Sequence, residues 1–293
     1  MDSACRQLGR HPTRCSLRRN DGHGRPGPKT IAMRLPPLSL RHAALAVALS
    51  SCALAHAGDD AIATDRPDFV ESSDVVGAGR FQVETGVTTG RTTRDGITVR
   101  TLTTPTLFRL GLGETAELRL ETEGWTRERA SGIPATHGMS DLSLGIKWHV
   151  LDGAGSTPGV AWLLHVDTPT GSKAFRGEGL RPSLRAAIEW DLPEEFSLGV
   201  MPGIYVDRIG GRRLAGGILA ATLGKEWSPR WHSFIEVAGQ QLASKRNGGS
   251  VVTLDAGLAF VATPTLQFDI EVSHGLTDAA PDLESGVGVA IKF

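Results

Sequence analysis

Apolar and polar residues alternate with period two in segments of about ten residues, and this limits the chain's possible folds more than any other feature. Phe81-Val83-Thr85-Val87 alternates with Gln82-Glu84-Gly86-Thr88, and Leu142-Leu144-Ile146-Trp148-Val150 with Ser143-Gly145-Lys147-His149. The same pattern returns in Leu184-Ala186-Ile188-Trp190 and, late in the chain, in Leu266-Phe268-Ile270-Val272. A strand points successive side chains to opposite faces, so each segment reads as a strand with one greasy and one polar side. No stretch of even 12 residues shows clean helical periodicity. Glycine, at 36 residues, agrees with strands and turns, because it weakens helix interiors by roughly 1 kcal/mol each.

The pattern predicts strands over 80–90, 97–110, 115–126, 141–150, 159–168, 181–191, 196–206, 214–225, 231–243, 251–262, 265–275 and 286–293. Pro105 makes the second of these the weakest, since it cannot donate to a ladder. A soluble sandwich also alternates, so three further features separate the architectures. Connections after even-numbered strands are short (111–114, 192–195, 263–264) except for 151–158, whereas those after odd-numbered strands are mostly longer and polar, as an up-and-down membrane barrel requires. Aromatics gather at the ends joined by short turns, where Trp148, Trp190, Trp227 and Trp231 are expected at the membrane interface together with Phe293. Trp125 and Tyr205 are the candidates for a thinner outer girdle. The chain also closes on the alternating strand Gly286 to Phe293, which resembles the terminal signal read by barrel-assembly machinery.

The expectation is an all-β transmembrane antiparallel barrel of about twelve strands over 80–293, with outer-membrane lipids as its surroundings. Only helices and closed barrels satisfy every backbone group in lipid, and no segment after Ala57 could be a spanning helix.

Residues 33–57 read as a signal peptide, with a basic start at Arg34, an apolar run Ala43 to Leu49 and an Ala55-His56-Ala57 cleavage site. Residues 1–32 read as an unstructured extension, as from a start codon assigned too early. A lipobox ending on Cys52 is a minor alternative. Beyond Ala57 the chain holds 22 basic and 30 acidic residues, which argues against nucleic acid as a partner. All three cysteines (Cys5, Cys15, Cys52) precede the cleavage site, so thiolate catalysis and cysteine metal sites are excluded from the mature part.

The polar faces are expected to line the lumen with Glu84, Glu117, Arg119, Glu121, Lys147, His149, His165, Asp167, Arg185, Glu189, Glu236, Asp255, Asp269 and Glu271, with Lys292 near the end. Carboxylates dominate, so an open pore would favour cations, while cross-strand pairing of the same groups would close it. Residues 58–79 are either a periplasmic tail or a plug, with Asp65, Arg66, Asp68 and Glu71 as the groups that would bond to the lumen. No metal site, cofactor or catalytic residue is expected. His232-Ser233 is an adjacent pair, but strand neighbours point to opposite faces and cannot form a nucleophile and its base.

Thr64-Asp65-Arg66-Pro67-Asp68-Phe69-Val70-Glu71-Ser72-Ser73, followed by Gly79-Arg80-Phe81-Gln82-Val83-Glu84-Thr85-Gly86, resembles a bacterial family of outer-membrane proteins named for the meta pathway of phenol degradation, often labelled simply transporter. Ser140 to Trp148 and Asp167-Thr168-Pro169-Thr170-Gly171-Ser172 resemble its internal blocks, so the likeness runs from about Thr64 to Phe293. It implies a barrel that passes small solutes passively, among them aromatic or hydrophobic compounds. The competing readings are a non-conducting structural or adhesion barrel and, behind it, an outer-membrane lipid hydrolase.

Overall fold

The computed structural model describes residues 61–242 and 249–293, so the extension, the signal peptide and the three cysteines lie outside the described residues. Fifteen strands follow one another, in chain order β1 (Phe81–Arg94), β2 (Ile97–Thr103), β3 (Thr106–Gly111), β4 (Ala116–Thr122), β5 (Trp125–Ala130), β6 (Thr136–Met139), β7 (Leu142–Leu151), β8 (Gly159–Thr168), β9 (Arg181–Leu192), β10 (Phe196–Ile209), β11 (Arg212–Ser228), β12 (Trp231–Leu242), β13 (Val251–Thr263), β14 (Leu266–Gly275) and β15 (Leu283–Lys292). Every pairing is antiparallel, and β15 pairs back onto β1 from Gln82↔Lys292 to Arg91↔Leu283, which closes the sheet into a barrel.

Twelve crossings make the barrel, because three of them are each built from two strands. β2 and β3 are halves of one crossing, as are β4 and β5, and β6 and β7. Pro105 divides the first: β1 pairs with β2 above it and β3 below it, and the Pro105 carbonyl accepts from Gly86 N–H at 3.0 Å. Beside it, Gly124 has φ +67°, and a Cβ there would lie 2.1 Å from the Thr104 oxygen, so this break tolerates only glycine.

The chain starts and ends its barrel at the same end, where Phe81 N–H donates to Phe293 O and Phe293 N–H to Phe81 O. Most of the turns at that end are short and both ends of the barrel meet there, as at the periplasmic end of an outer-membrane barrel. Two outer connections expected to be loops are instead two-residue hairpin tips, Asp95-Gly96 and Gly210-Gly211, because the strands run on to Arg94 and Ile209. Positive φ at Asp95, Gly96, Gly210 and Gly211 makes these turns the type that matches strand twist. Residues 136–139, expected within a loop, form β6.

The outward face is apolar and exposed: Leu144, Ile146, Leu164, Ile204, Leu219, Ile235, Ile270 and Val287 are all more than a third accessible. At the periplasmic edge Phe81, Trp148, Trp162, Trp227, Trp231, Phe268 and Phe293 are likewise exposed, while Trp190 is half-buried. Phe81 packs against Phe108 and Phe293 with ring centres 6.2 and 6.1 Å away. Tyr205 corrects the expected outer girdle. It shares the inward face of β10 with Met201, Gly203 and Asp207, and its ring occupies the space that Gly216 leaves empty. Trp125 does face outward.

Candidate functional site

The inward face is polar and tightly packed, which a lumen filled only with water would not produce. Arg109, Lys147, Gln82, Glu84 and Glu117 have no accessible surface, and Glu236 has 1%. What buries them is the segment 61–80, which runs through the barrel and bonds to side chains from most of its circumference.

Four glutamates on the wall receive this segment's backbone. Glu84 accepts from the N–H groups of Asp65 and Arg66 at 3.0 Å, and Glu236 from those of Phe69 and Val70 at 2.9 and 2.8 Å. Glu189 accepts from Ser73 N–H at 2.5 Å, and Glu117 from Val76 N–H at 2.9 Å. The segment has no sheet or helix to pair its amides, and ionised carboxylates are the strongest available acceptors.

Its side chains meet the wall unevenly. On the side formed by β3, β4 and β7, the Asp65 carboxylate is reached by Arg119 at 2.6 Å, Lys147 at 2.7 Å and Arg109 at 3.3 Å. Burial alone would push the Asp65 carboxyl up, yet Arg109, Lys147 and Arg119 hold it well below the usual carboxylate range. Glu71 pairs with Arg185 at 2.6 Å and Arg119 at 2.7 Å. Arg66 reaches Asp269 on β14 at 2.9 Å and Glu271 at 3.7 Å. The opposite side, β10 to β12, offers small and apolar residues instead, and Val70 packs with Met201, Ala220 and Ala238 with Phe69 alongside. Asp68 faces Glu236, Glu189 and Asp65, and burial with these like charges pushes its carboxyl well above the usual range.

The remaining lumen candidates also point inward. His149 Nδ1 lies 2.9 Å from Ser73 O, and His165 lies 3.1 Å from Glu121 and 2.5 Å from Arg185. Asp167 lines the outer mouth, Asp255 accepts from Thr253 Oγ1 at 2.8 Å beside Glu236, and Lys292 Nζ approaches Ala61 O at 3.5 Å. Sequence reasoning missed Arg109, which also donates to the carbonyls of Ala63 and Asp74. Its signal was a lone arginine among Leu107, Phe108 and Leu110, masked by the proximity of Pro105. Gln82, Leu163 and Met201 were missed as well, all three without accessible surface.

Two cavities remain, one on either side of the segment. The outer one is about 690 Å³ and reaches Phe175, Arg181 and Asp207; the periplasmic one is about 640 Å³ and reaches Leu192, Phe196 and Lys225. Arg66 and Asp68 line both. The outer mouth is shaped by Asp141, whose carboxylate accepts from Gly171 N–H, Gly177 N–H and Arg181 Nη2, each at 2.8 Å, and so fixes the loop that carries Phe175. Among the described residues no group of three His, Cys, Asp or Glu side chains is arranged to hold a metal ion.

Residues 64–293 match the protein family described as "Putative MetA-pathway of phenol degradation". No curated protein matches the sequence. The structure is similar to that of an outer-membrane channel from Pseudomonas putida F1, with TM-score 0.62 and 11% identity over 78% of this chain and 99% of that one. It is also similar to the β domain of a Bordetella autotransporter, with TM-score 0.50 and 11% identity over 73% of this chain and 99% of the other. At these identities the likeness is one of fold: an outer-membrane β-barrel.

Proposed function

This chain belongs to the family described as "Putative MetA-pathway of phenol degradation", and from that premise we propose that it is an outer-membrane channel for passive passage of small solutes, narrowed at mid-height by residues 61–80. The observation that carries this reading is the pair of cavities, one open to each mouth, separated by Arg66 and Asp68. A twelve-crossing barrel is intermediate between small barrels packed solid and the wide porins, so one extended segment suffices to set its bore. The N-terminal segment is thus a constriction rather than a tail, held by Asp65, Arg66 and Glu71.

Leaving Asp68 aside, the outer cavity has eight carboxylates against four arginines in its lining, so fixed charge favours cations there. It also presents Phe69, Phe175, Leu107 and Leu142, an apolar patch beside the charged one. Small aromatic compounds, the class that the family's description attaches to it, suit such a mixed lining and are the solutes to test first.

Single-channel recording of the folded protein in a planar bilayer under a salt gradient tests the proposal. Small steady steps with a cation-selective reversal potential, blocked by an added phenol, are expected. Silence from protein whose heat-modifiable gel mobility shows a folded barrel would instead favour a closed or structural barrel.

A further inference from the structure

The outer wall of the barrel carries a row of like charges that the channel does not use. Strand register places Leu283, Arg91, Arg100 and Arg129 side by side across β15, β1, β2 and β5. In the next row down stand Ser285, Thr89, Leu102, Arg127 and His137. Below that come Val287 beside Val87 and, on the neighbouring strands, Trp125 opposite Met139. All four arginines are exposed and point away from the lumen, on the same face as Val87, Trp125 and Leu283. None is ion-paired among the described residues. Arg94, which pairs with Asp282 at 2.6 Å, belongs to a different cluster.

Directly opposed like charges on one face of a sheet destabilise it, because their Cβ atoms are only about 5 Å apart. Three in a row, without a carboxylate on that face, call for an anion from outside the chain. Height indicates which anion. From Phe81 in the periplasmic aromatic edge to Arg91 is ten residues along β1. At ~3.3 Å per residue and a tilt of ~40°, that is about 25 Å, the height of a barrel's apolar band. The arginines therefore stand at the upper membrane boundary, just above the Trp125 indole. The same row continues on β14 and β13 with His274 and Leu254, both exposed, and carries no further arginine.

We propose that the outward face of β1, β2 and β5 is a docking site for the phosphate groups of the outer-leaflet glycolipid, with Arg91, Arg100, Arg127 and Arg129 as its ligands. Guanidinium forks match phosphate oxygens bidentately, and the acyl chains would lie on Val87 and Val287 below. The site rests on the barrel's place in the outer membrane and is independent of what the lumen passes.

Binding of bisphosphorylated lipid A to the detergent-purified full chain, followed by native mass spectrometry, tests this. Each arginine in such a patch contributes about a fivefold gain in affinity, so Arg91→Gln/Arg100→Gln/Arg129→Gln is expected to bind on the order of 100-fold more weakly. Arg100→Gln alone is expected to bind about fivefold more weakly, and it serves if the triple variant does not fold. Arg208→Gln, outside the patch, should bind as the parent does. Equal binding of lipid A stripped of its phosphates would overturn the proposal, as would unchanged affinity in the variants. Displacement by equimolar inorganic phosphate would also overturn it, by showing that the site reads phosphate without the lipid. Heat-modifiable mobility, measured in parallel, reports separately on whether the protein is a membrane barrel at all.

Discussion

Asp65 and Asp68 lie three residues apart in one turn of the same segment, yet the two sides of the lumen treat them in opposite ways. Asp65 enters a pocket of three cations, Arg109, Arg119 and Lys147, and is held ionised. Asp68 faces the carboxylates of Glu236 and Glu189 and is pushed towards its neutral form. On the charged side the segment is fixed by ion pairs between side chains. On the other side it is fixed by its own amides, donated to Glu236 and Glu189, and by Val70 against Met201, Ala220 and Ala238. The first kind of contact sets where the segment sits. The second leaves the space that Asp68 shares between the two cavities.

Removing both kinds of contact at once should have the largest effect. Deleting residues 62–79 is expected to raise single-channel conductance several-fold, because the bore would then be set by the wall alone. Unchanged conductance in a folded barrel would show that the segment does not limit passage. Next in size is Asp65→Asn, which leaves Arg109, Arg119 and Lys147 without their common anion. Breaking a buried pair from one side costs about 3–5 kcal/mol, enough to release the charged side of the segment. Conductance should then approach that of the deletion, and residues near Asp65 should become open to proteolysis.

The two sides also differed in how much the sequence disclosed of them. Strand alternation made the outward face, the closure and the inward carboxylates legible, since each is a property of a single strand read with period two. The charged side was half legible: Lys147, Glu117 and Arg119 stood out on polar faces, whereas Arg109 was hidden in a segment broken by Pro105. The apolar side was not legible at all. Met201, Ala220 and Ala238 point inward, against the rule that apolar residues of a membrane barrel face lipid, and only the segment inside the lumen makes them core residues. No local pattern reports a partner that lies 130 or more residues away. The arginine row was equally hidden, because Arg91, Arg100 and Arg129 become neighbours only through register.

On the apolar side, Met201→Ala should have a smaller effect than the loss of Asp65. The methionine has no accessible surface and supports Val70, so its truncation leaves a cavity worth about 2–3 kcal/mol. The glutamate bonds to Phe69 and Val70 would remain, and the segment should loosen without leaving. The readout is more frequent brief openings at nearly unchanged mean conductance. A response equal to that of Asp65→Asn would mean that the two sides contribute alike.

The smallest effect expected is a pH dependence, and it separates the two aspartates most sharply. Asp65 titrates below the usual range when docked, so its contribution is complete above about pH 4 and is lost only as pH falls through its lowered value. Asp68 titrates above the usual range, so docking is most favourable at low pH. It weakens as pH rises from about 4 and levels off once the raised value is passed. Between pH 5 and 8, then, of the two aspartates only Asp68 responds. Conductance should be lower at pH 5 than at pH 8, and Asp68→Asn should be flat across that window at the lower level. A pH dependence that survives in Asp68→Asn would move the effect to the wall carboxylates facing it, Glu236 and Glu189, and would leave Asp68 as a lining residue without a part in closing the bore.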